Sequence, residues 1–201
     1  MENGTPVVFV DRIPDHLDVQ KVIIDNHAAA FKATQHLIDQ GCKRIAHFGG
    51  ALHQAIYRER LRGYKDALQA NNLPLDDTII LHGDLLSADE GQKMTEFLLG
   101  LPNPPDSIFS ANDTAAVSAI QFAKSAGVRI PEDLAIIGFN NDPLCMIIDP
   151  PLSSVGHPAA DMGRIAVQQI LQIKSAEGKL VPQTIMLNTA VIARASSLRK
   201  T

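Results

Sequence analysis

The sequence predicts an α/β fold built on open, mostly parallel β-sheets in a three-layer arrangement. Short β-branched runs alternate with amphipathic segments along almost the whole chain of 201 residues. This alternation is typical of parallel strands that are joined by crossover helices. In addition, the run from Leu134 to Phe139 is almost entirely apolar, as expected for a strand that is buried on both faces.

Nine short runs are predicted to form strands, because most of them are rich in β-branched or aromatic residues and are bounded by turn-forming residues. In chain order these runs are Pro6–Val10, Val22–Asp25, Ile45–Phe48, Thr78–Leu81, Ser107–Ser110, Leu134–Phe139, Ser153–Val155, Thr184–Leu187 and Ala190–Ala193. The segments that separate most consecutive runs are long enough to contain a helix.

Five of these segments show helical spacing of apolar residues together with end signals. Asn26 can act as an N-cap, and Gly41 stands where a helix C-terminus favours glycine. Ser87 and Glu90 have the spacing of a capping box. The predicted helices follow Asn26 as far as Gly41, cover Tyr57–Ala70, begin at Ser87 and continue through Leu98, cover Thr114–Ala126, and follow Pro158 through Ile173.

Composition and charge exclude several functional classes. With 45% hydrophobic and 20% charged residues the chain is typical of a globular domain, and no apolar run is long enough to span a membrane. The net charge of −4 argues against direct binding of DNA by this chain. Cys42 and Cys145 are too few for a disulfide framework and lack metal-ligand spacing. Together with the absence of a signal-peptide pattern at Met1, this indicates a reducing, cytoplasmic location.

The common catalytic and nucleotide-binding motifs do not occur in the sequence. There is no Gly-x-Ser-x-Gly elbow, no phosphate-binding Gly-x4-Gly-Lys loop and no His-Glu-x-x-His pair, and Gly49-Gly50 does not begin a dinucleotide fingerprint. The sequence therefore favours a binding protein over an enzyme. It predicts no catalytic residue, no metal site and no cofactor.

Polar side chains follow several predicted strands at the point where each strand ends. Because the carboxyl ends of parallel strands meet at one edge of a sheet, ligands bind there. Asn, Asp and Arg side chains can bridge neighbouring hydroxyl groups, so a polyhydroxylated or otherwise polar small molecule suits this edge. The residues concerned are Asp11, Arg12, Arg60, Asp84, Asn112, Asp113, Asn140, Asn141 and Asp142.

A purely structural interpretation of the same residues stays open at this point. Asn112, Asp113 and Asn26 are also residue types that favour helix N-caps, and the run from Asn140 to Pro143 is typical of a turn. Arg60 could equally be a solvated helix charge or half of an ion pair.

Several short strings occur together in a fixed order from about Pro6 to Ser197. They include VFVDR at 8–12, VIIDN at 22–26, Ile108-Phe109 followed by Asn112-Asp113, IPED at 130–133, IGF at 137–139, PLSSV at 151–155 and Arg194-Ala195-Ser196. In this order and spacing the strings resemble the effector-binding domain of the LacI/GalR family of bacterial transcription regulators. The set is specific, although each string alone would be weak.

The resemblance implies a two-lobed, type I periplasmic-binding-protein-like fold with the effector in the cleft between the lobes. The first lobe would hold residues 1–24 and 156–178, and the second would hold residues 25–155 and 179–201. The match begins at what would be the last strand of the first lobe. The first lobe is therefore expected to be incomplete, and the DNA-binding helix-turn-helix headpiece is expected to be absent from this chain.

The resemblance also implies eight effector-binding residues. Arg60 matches an arginine that grips hydroxyl groups, Asn112 an asparagine with the same role, and Asp11 an acidic residue of the cleft. Ile56 would add an apolar wall. The complete set is Asp11, Gln54, Ile56, Arg60, Leu85, Asn112, Asn140 and His157.

Four of these eight positions depart from the family pattern. Asn140 replaces the usual aspartate, which removes a charge and adds a hydrogen-bond donor. Leu85 stands where an aromatic ring often stacks on the ligand. His157 replaces the glutamine of many sugar-responsive members, and Gln54 replaces the arginine of purine-responsive members. A purine effector is therefore not predicted.

The implied function is the effector-sensing part of a transcription repressor. Such a domain would bind a sugar or similar small metabolite, form a homodimer and reach operator DNA through the missing headpiece, without contact with a membrane. Three alternatives stay open at this point: a periplasmic sugar-binding protein of a transport system, a small α/β hydrolase or isomerase, and a regulator whose signal is a partner protein.

Overall fold

A computed structural model describes residues 5–13, 17–175 and 181–199 of the chain. The chain divides into two compact units and passes from one to the other three times. The smaller unit contains Met1–Asp25 and His157–Thr189, and the larger unit contains Asn26–Gly156 and Ala190–Thr201.

The described residues form nine strands, six α-helices and one 3-10 turn at Asp77–Ile79. The strands are β1 (Phe9–Val10), β2 (Lys21–Ile24), β3 (Ile45–Gly49), β4 (Ile80–His82), β5 (Ser107–Ser110), β6 (Ala135–Asn140), β7 (Ser153–Gly156), β8 (Thr184–Leu187) and β9 (Val191–Ile192). The helices are α1 (Asn26–Asp39), α2 (Ala55–Ala70), α3 (Ala88–Leu99), α4 (Asp113–Ser125), α5 (Leu144–Ile147) and α6 (Ala159–Ser175). None of these helices is both long enough and apolar enough to cross a membrane.

The strands pair in two sheets that are almost entirely parallel. The larger unit contains a six-stranded sheet in the order β4-β3-β5-β6-β7-β9, in which only the β7–β9 pair is antiparallel. The smaller unit contains a parallel sheet in the order β1-β2-β8. The predicted α/β class with mostly parallel sheets is confirmed.

Two pairs of helices, α1 with α2 and α3 with α4, pack beside the six-stranded sheet. Phe48 of β3 and Ile108 of β5 belong to a buried apolar cluster that includes residues of α3 and α4. The ring of His47, the residue directly before Phe48 in β3, stacks instead on Tyr64 of α2, with 5.0 Å between the ring centroids. Since neighbouring strand residues point to opposite faces, the larger unit has the three-layer arrangement that the sequence predicts.

The predicted assignment of Thr184–Leu187 to the second lobe is wrong. This strand, β8, pairs in parallel with β2, so that Ile185 lies beside Val22 in the smaller unit. The smaller unit consequently extends to Thr189 rather than to residue 178. Local sequence defines a strand but not its partner, because the partner lies far away in the chain.

The first part of the predicted strand Thr78–Leu81 is a 3-10 turn. The side chain of Asp76 accepts a hydrogen bond from the backbone N–H of Thr78 at 2.9 Å, and this bond caps the turn at Asp77–Ile79. Strand β4 therefore begins only at Ile80. The short helix α5 was not predicted.

Candidate functional site

Six of the eight predicted effector-binding residues lie in the larger unit, on segments that follow the carboxyl ends of its parallel strands. Gln54, Ile56 and Arg60 come after β3, Leu85 comes after β4, and Asn112 comes after β5; Asn140 is the last residue of β6. The other two residues, Asp11 and His157, lie in the smaller unit.

Arg60 of α2 is a buried guanidinium with a fixed orientation. Only 3% of its surface is exposed. Its Nε donates to Oδ1 of Asn26 at 2.9 Å, and its Nη1 donates to the backbone oxygen of Ala111 at 2.6 Å. Its Cζ atom lies 3.5 Å from the centroid of the Phe139 ring, which is a close cation–π contact.

The solvated-charge interpretation of Arg60 is therefore wrong. The contacts join α2 to the start of α1, to the end of β5 and to β6, so the guanidinium lies where three strand-end segments meet. Asn26, which the sequence predicted as an N-cap, is itself the first residue of α1, and its side-chain oxygen accepts from Arg60.

Asn112 acts as the N-cap of α4. Its Oδ1 accepts from the backbone N–H of Ala115 at 2.9 Å. Its Nδ2 donates to the backbone oxygen of Leu86 at 2.8 Å, which ties the segment after β4 to the start of α4. The helix-cap interpretation is confirmed, and contact between Asn112 and an effector remains a prediction.

Asn140 and Asn141 form a turn in the left-handed region of backbone conformation. Their φ angles are 118° and 59°. Asn140 still pairs with Gly156 of β7, so the turn begins where the β6–β7 ladder ends. The predicted turn chemistry is confirmed, because asparagine tolerates positive φ better than most residues.

Leu85 projects from a loop that is held by the capping box of α3. Its surface is 81% exposed. The Glu90 carboxylate accepts hydrogen bonds from the backbone N–H groups of Asp84 at 2.8 Å and Ser87 at 2.7 Å. These hydrogen bonds also lower the pKa of Glu90, and the bond from the backbone N–H of Ser87 is the largest cause. The loop thus presents an apolar side chain to solvent on a fixed backbone.

Gln54 and Ile56 occupy the start of α2. Gln54 is the residue before the helix, and its side chain makes no capping hydrogen bond. Ile56 is buried in the apolar cluster between the six-stranded sheet and α3 and α4. Most of the Ile56 surface therefore contributes to the core.

Asp11 and His157 are in contact with each other within the smaller unit. Nε2 of His157 lies 3.1 Å from Oδ1 of Asp11. Asp11 has a φ of 64°, just after the end of β1, and Arg12 Nε lies 4.0 Å from its other carboxylate oxygen. The pair joins the chain after β1 to the chain before α6.

The partner network behind Asn140 was not predicted. Asp113 was predicted as a polar group at a strand end, as a helix cap and as part of a family string, whereas Ser154 and Arg194 were noted only as parts of family strings. The structure brings all three next to the Asn140–Asn141 turn. The cap prediction for Asp113 is wrong, because Asn112 is the N-cap and Asp113 is the first residue of α4. The described residues contain no group of three or more His, Cys, Asp or Glu side chains placed to hold a metal ion.

Comparison with known proteins identifies the family. Residues 34–197 match the model of the periplasmic binding protein-like domain. The chain is 37% identical over 169 residues to the HTH-type transcriptional repressor CytR of Escherichia coli (strain K12), which covers 84% of this chain and 49% of that protein. It is 37% identical over 177 residues to catabolite control protein A of Priestia megaterium, with coverage of 88% and 53%. The chain spans about half the length of these relatives.

Solved structures of LacI-type regulators have the same fold. A transcriptional regulator CelR–cellobiose complex matches 96% of this chain and 59% of its own, with a TM-score of 0.86 and 32% identity. A regulatory protein of the LacI family from Chloroflexus aggregans matches 96% and 68%, with a TM-score of 0.88 and 34% identity.

The fold defines an α/β domain of the periplasmic-binding-protein-like class. The chain belongs to the periplasmic binding protein-like domain family, and its relatives are LacI-family transcription regulators. This finding favours the regulator over a transport protein or an enzyme.

Proposed function

We propose that this chain is the effector-sensing domain of a LacI/GalR-type transcription repressor and that it binds a sugar or similar small metabolite. Support comes from the family membership and from the repressor relatives. In the whole protein, a separate helix-turn-helix headpiece would bind operator DNA. A homodimer in the cytoplasm would place two such headpieces on the two halves of a palindromic operator.

The observation that carries this proposal is the fixed guanidinium of Arg60. Its contacts with Asn26, Ala111 and Phe139 set its orientation before a ligand arrives. A side chain that is already ordered loses little entropy on binding, and a guanidinium suits neighbouring hydroxyl oxygens. Asn112 and Asn140 at the ends of the neighbouring strands would supply both donors and acceptors to the same ligand.

The proposed mechanism is a shift in population between two conformations of the regulator. Arg60, Asn112 and Asn140 of the larger unit would bind the effector, and Asp11 and His157 of the smaller unit are the other proposed effector contacts. A ligand that binds one conformation more tightly raises the population of that conformation. Regulation of DNA binding then requires only that the headpieces differ in affinity for the operator between the two conformations.

A thermal-shift screen tests this proposal. The panel would contain cellobiose, ribose, sugar phosphates, polyols and purines, because the CelR structure above holds cellobiose. A ligand at a hundred times its dissociation constant adds about 2.7 kcal/mol to the free energy of unfolding, which gives a clear increase in melting temperature. A sugar or sugar-like compound is expected to give the largest increase.

Variants on one helix locate the binding site. Arg60→Lys keeps the charge but loses the forked donor geometry, and it is expected to abolish the melting shift. Arg62→Ala is the matched control, because Arg62 lies on the same helix, is 61% exposed and pairs with Glu59. A shift that survives Arg60→Lys would contradict the site, and a chain that no compound of the panel stabilises would contradict effector binding by this chain.

A further inference from the structure

Asp113 is a fully buried carboxylate at the start of α4. Its Oδ1 accepts a hydrogen bond from the Ser154 hydroxyl at 2.6 Å. Its Oδ2 accepts from the backbone N–H of Asp142 at 2.8 Å. One side chain of α4 therefore holds both strand β7 and the segment that follows β6.

Gly138 of β6 permits this close approach. A Cβ atom at position 138 would lie 2.2 Å from Oδ1 of Asp113, which is far inside van der Waals contact. Only glycine leaves enough room for the carboxylate to lie against the strand. The position of the Asp113 carboxylate therefore requires glycine at position 138.

The same network holds the Asn140–Asn141 turn. The backbone N–H of Asn141 donates to the Ser154 hydroxyl oxygen at 3.0 Å, and Nη2 of Arg194 donates to Oδ1 of Asn141 at 2.7 Å. Consecutive residues with positive φ are unfavourable when they carry a Cβ atom, so the surrounding contacts must determine such a turn. Two of these contacts are the bonds from Asn141 to Ser154 and from Asp142 to Asp113, and the third is the bond from Arg194.

We propose that Asp113 is a positioning residue of the effector site, whose carboxylate holds the Asn140–Asp142 turn against the start of α4. Asn112 directly precedes Asp113 and caps the same helix. The carboxylate therefore sets the spacing between Asn112 and Asn140, the two asparagines at the ends of β5 and β6. The functional meaning of that spacing rests on the proposed function, whereas the hold on the turn does not.

Amide hydrogen exchange, measured residue by residue by NMR, tests the proposal on the ligand-free chain. Asp113→Ala removes both acceptor oxygens. The Asp142 amide is expected to exchange about tenfold faster, the effect of losing one hydrogen bond, and the Asn141 amide is expected to follow because Ser154 loses its partner. Amides in the centre of β5 are expected to show a much smaller increase.

Ser118→Ala is the matched control for the loss of a buried polar contact on the same helix. The Ser118 hydroxyl donates to the backbone oxygen of Ala88 at 2.6 Å, away from the turn. This variant is expected to leave the Asn141 and Asp142 amides unchanged relative to the rest of the unit. A uniform increase in exchange across the unit in Asp113→Ala would show a general loss of stability and overturn the positioning role.

Ser154→Ala provides a second, smaller perturbation in case Asp113→Ala does not fold. It removes the hydroxyl that accepts from Asn141 while the bond from Asp142 to the carboxylate can remain. Relative to the wild type, the exchange rate is expected to increase more at the Asn141 amide than at the Asp142 amide. An unchanged exchange rate at Asn141 would overturn the proposal. Since no effector is needed, this result is independent of the outcome of the thermal-shift screen.

Discussion

His47 of β3 is a buried histidine that must stay neutral. Its ring is in contact with those of Tyr64 and Phe109, each with its centroid 5.0 Å away. The nitrogen Nδ1 lies 3.1 Å from the backbone oxygen of Phe109. A carbonyl oxygen only accepts, so Nδ1 carries the proton and Nε2 is an acceptor. Among the described residues, Nε2 is the one buried side-chain nitrogen or oxygen atom with no hydrogen-bond partner.

This environment predicts an acid-sensitive stability. Burial is the largest cause that lowers the pKa of His47 from 6.5 to about 3. Below pH 6.5 His47 binds a proton in the unfolded chain but stays neutral in the folded chain. The free energy of unfolding therefore decreases as the pH falls towards 3. The loss is about 1.4 kcal/mol per pH unit, or about 2–3 kcal/mol between pH 6.5 and 4.5.

Urea unfolding at several pH values measures this effect in wild type and in His47→Leu. The leucine variant is expected to lose less stability than the wild type between pH 6.5 and 4.5. Phe48→Leu is the control, since Phe48 is buried on the opposite face of the same strand. The Phe48→Leu variant should have a lower free energy of unfolding at every pH, with the same dependence on pH as the wild type. If the free energy of unfolding of His47→Leu decreased with pH as steeply as that of the wild type, the prediction would be contradicted.

Residue types were easier to predict than residue environments. The sequence identified Arg60, Asn112 and Asn140 as polar groups at strand ends, because strand ends are readable from local pattern. The burial of Arg60 was not readable, since its partners Asn26 and Phe139 come from segments far apart in the chain. Contacts that depend on tertiary packing have no local signal.

At the scale of single elements, the capping box of α3 organises both a helix and a loop. The Ser87 hydroxyl accepts from the backbone N–H of Glu90, while the Glu90 carboxylate accepts from the backbone N–H of Ser87. The same carboxylate also accepts from Asp84. The backbone that carries Leu85 is therefore fixed by the start of the following helix.

Ser87→Ala is expected to lower the free energy of unfolding by about 1 kcal/mol, the usual effect of losing an N-cap side chain. Denaturant unfolding at neutral pH measures it. Ser125→Ala is the control, because the exposed Ser125 hydroxyl donates only to its own helix at Phe122. It should change stability by less than about 0.5 kcal/mol, and an equal loss in both variants would contradict the capping role.

Elements with strong local signals were predicted closely, and elements without them were not. The strands Ser107–Ser110 and Thr184–Leu187 have the predicted bounds, and the capping box placed the start of α3 correctly. Helix α5 is only four residues long and follows Pro143, so it offers no helical period to detect. The lobe that contains β8 was predicted wrongly, because it depends on the strand with which β8 pairs, and strand pairing is a property of the whole fold.

At the scale of the whole molecule, the two sheets differ in the side chains that their edge strands expose. In the part of the chain that the structure describes, each sheet has two edge strands that pair on one side only, β4 and β9 in the larger unit and β1 and β8 in the smaller unit. Val10 of β1 and Met186 of β8 are among the exposed large apolar residues, whereas no described residue of β4 or β9 is. Exposed strand edges with apolar side chains favour pairing with another chain.

The chain is therefore expected to self-associate through the sheet of the smaller unit. Sedimentation velocity over a range of protein concentrations should show an average mass that increases with concentration. Met186→Lys places a charge on the β8 edge and is expected to shift the equilibrium towards monomer, because lysine on an edge strand opposes strand pairing. Leu75→Lys is the control, since Leu75 is an exposed apolar residue of the larger unit and its replacement should leave the association unchanged. A monomer at every concentration would contradict self-association, and association that survives Met186→Lys would place the contact on another surface, such as the exposed apolar side chains of α5.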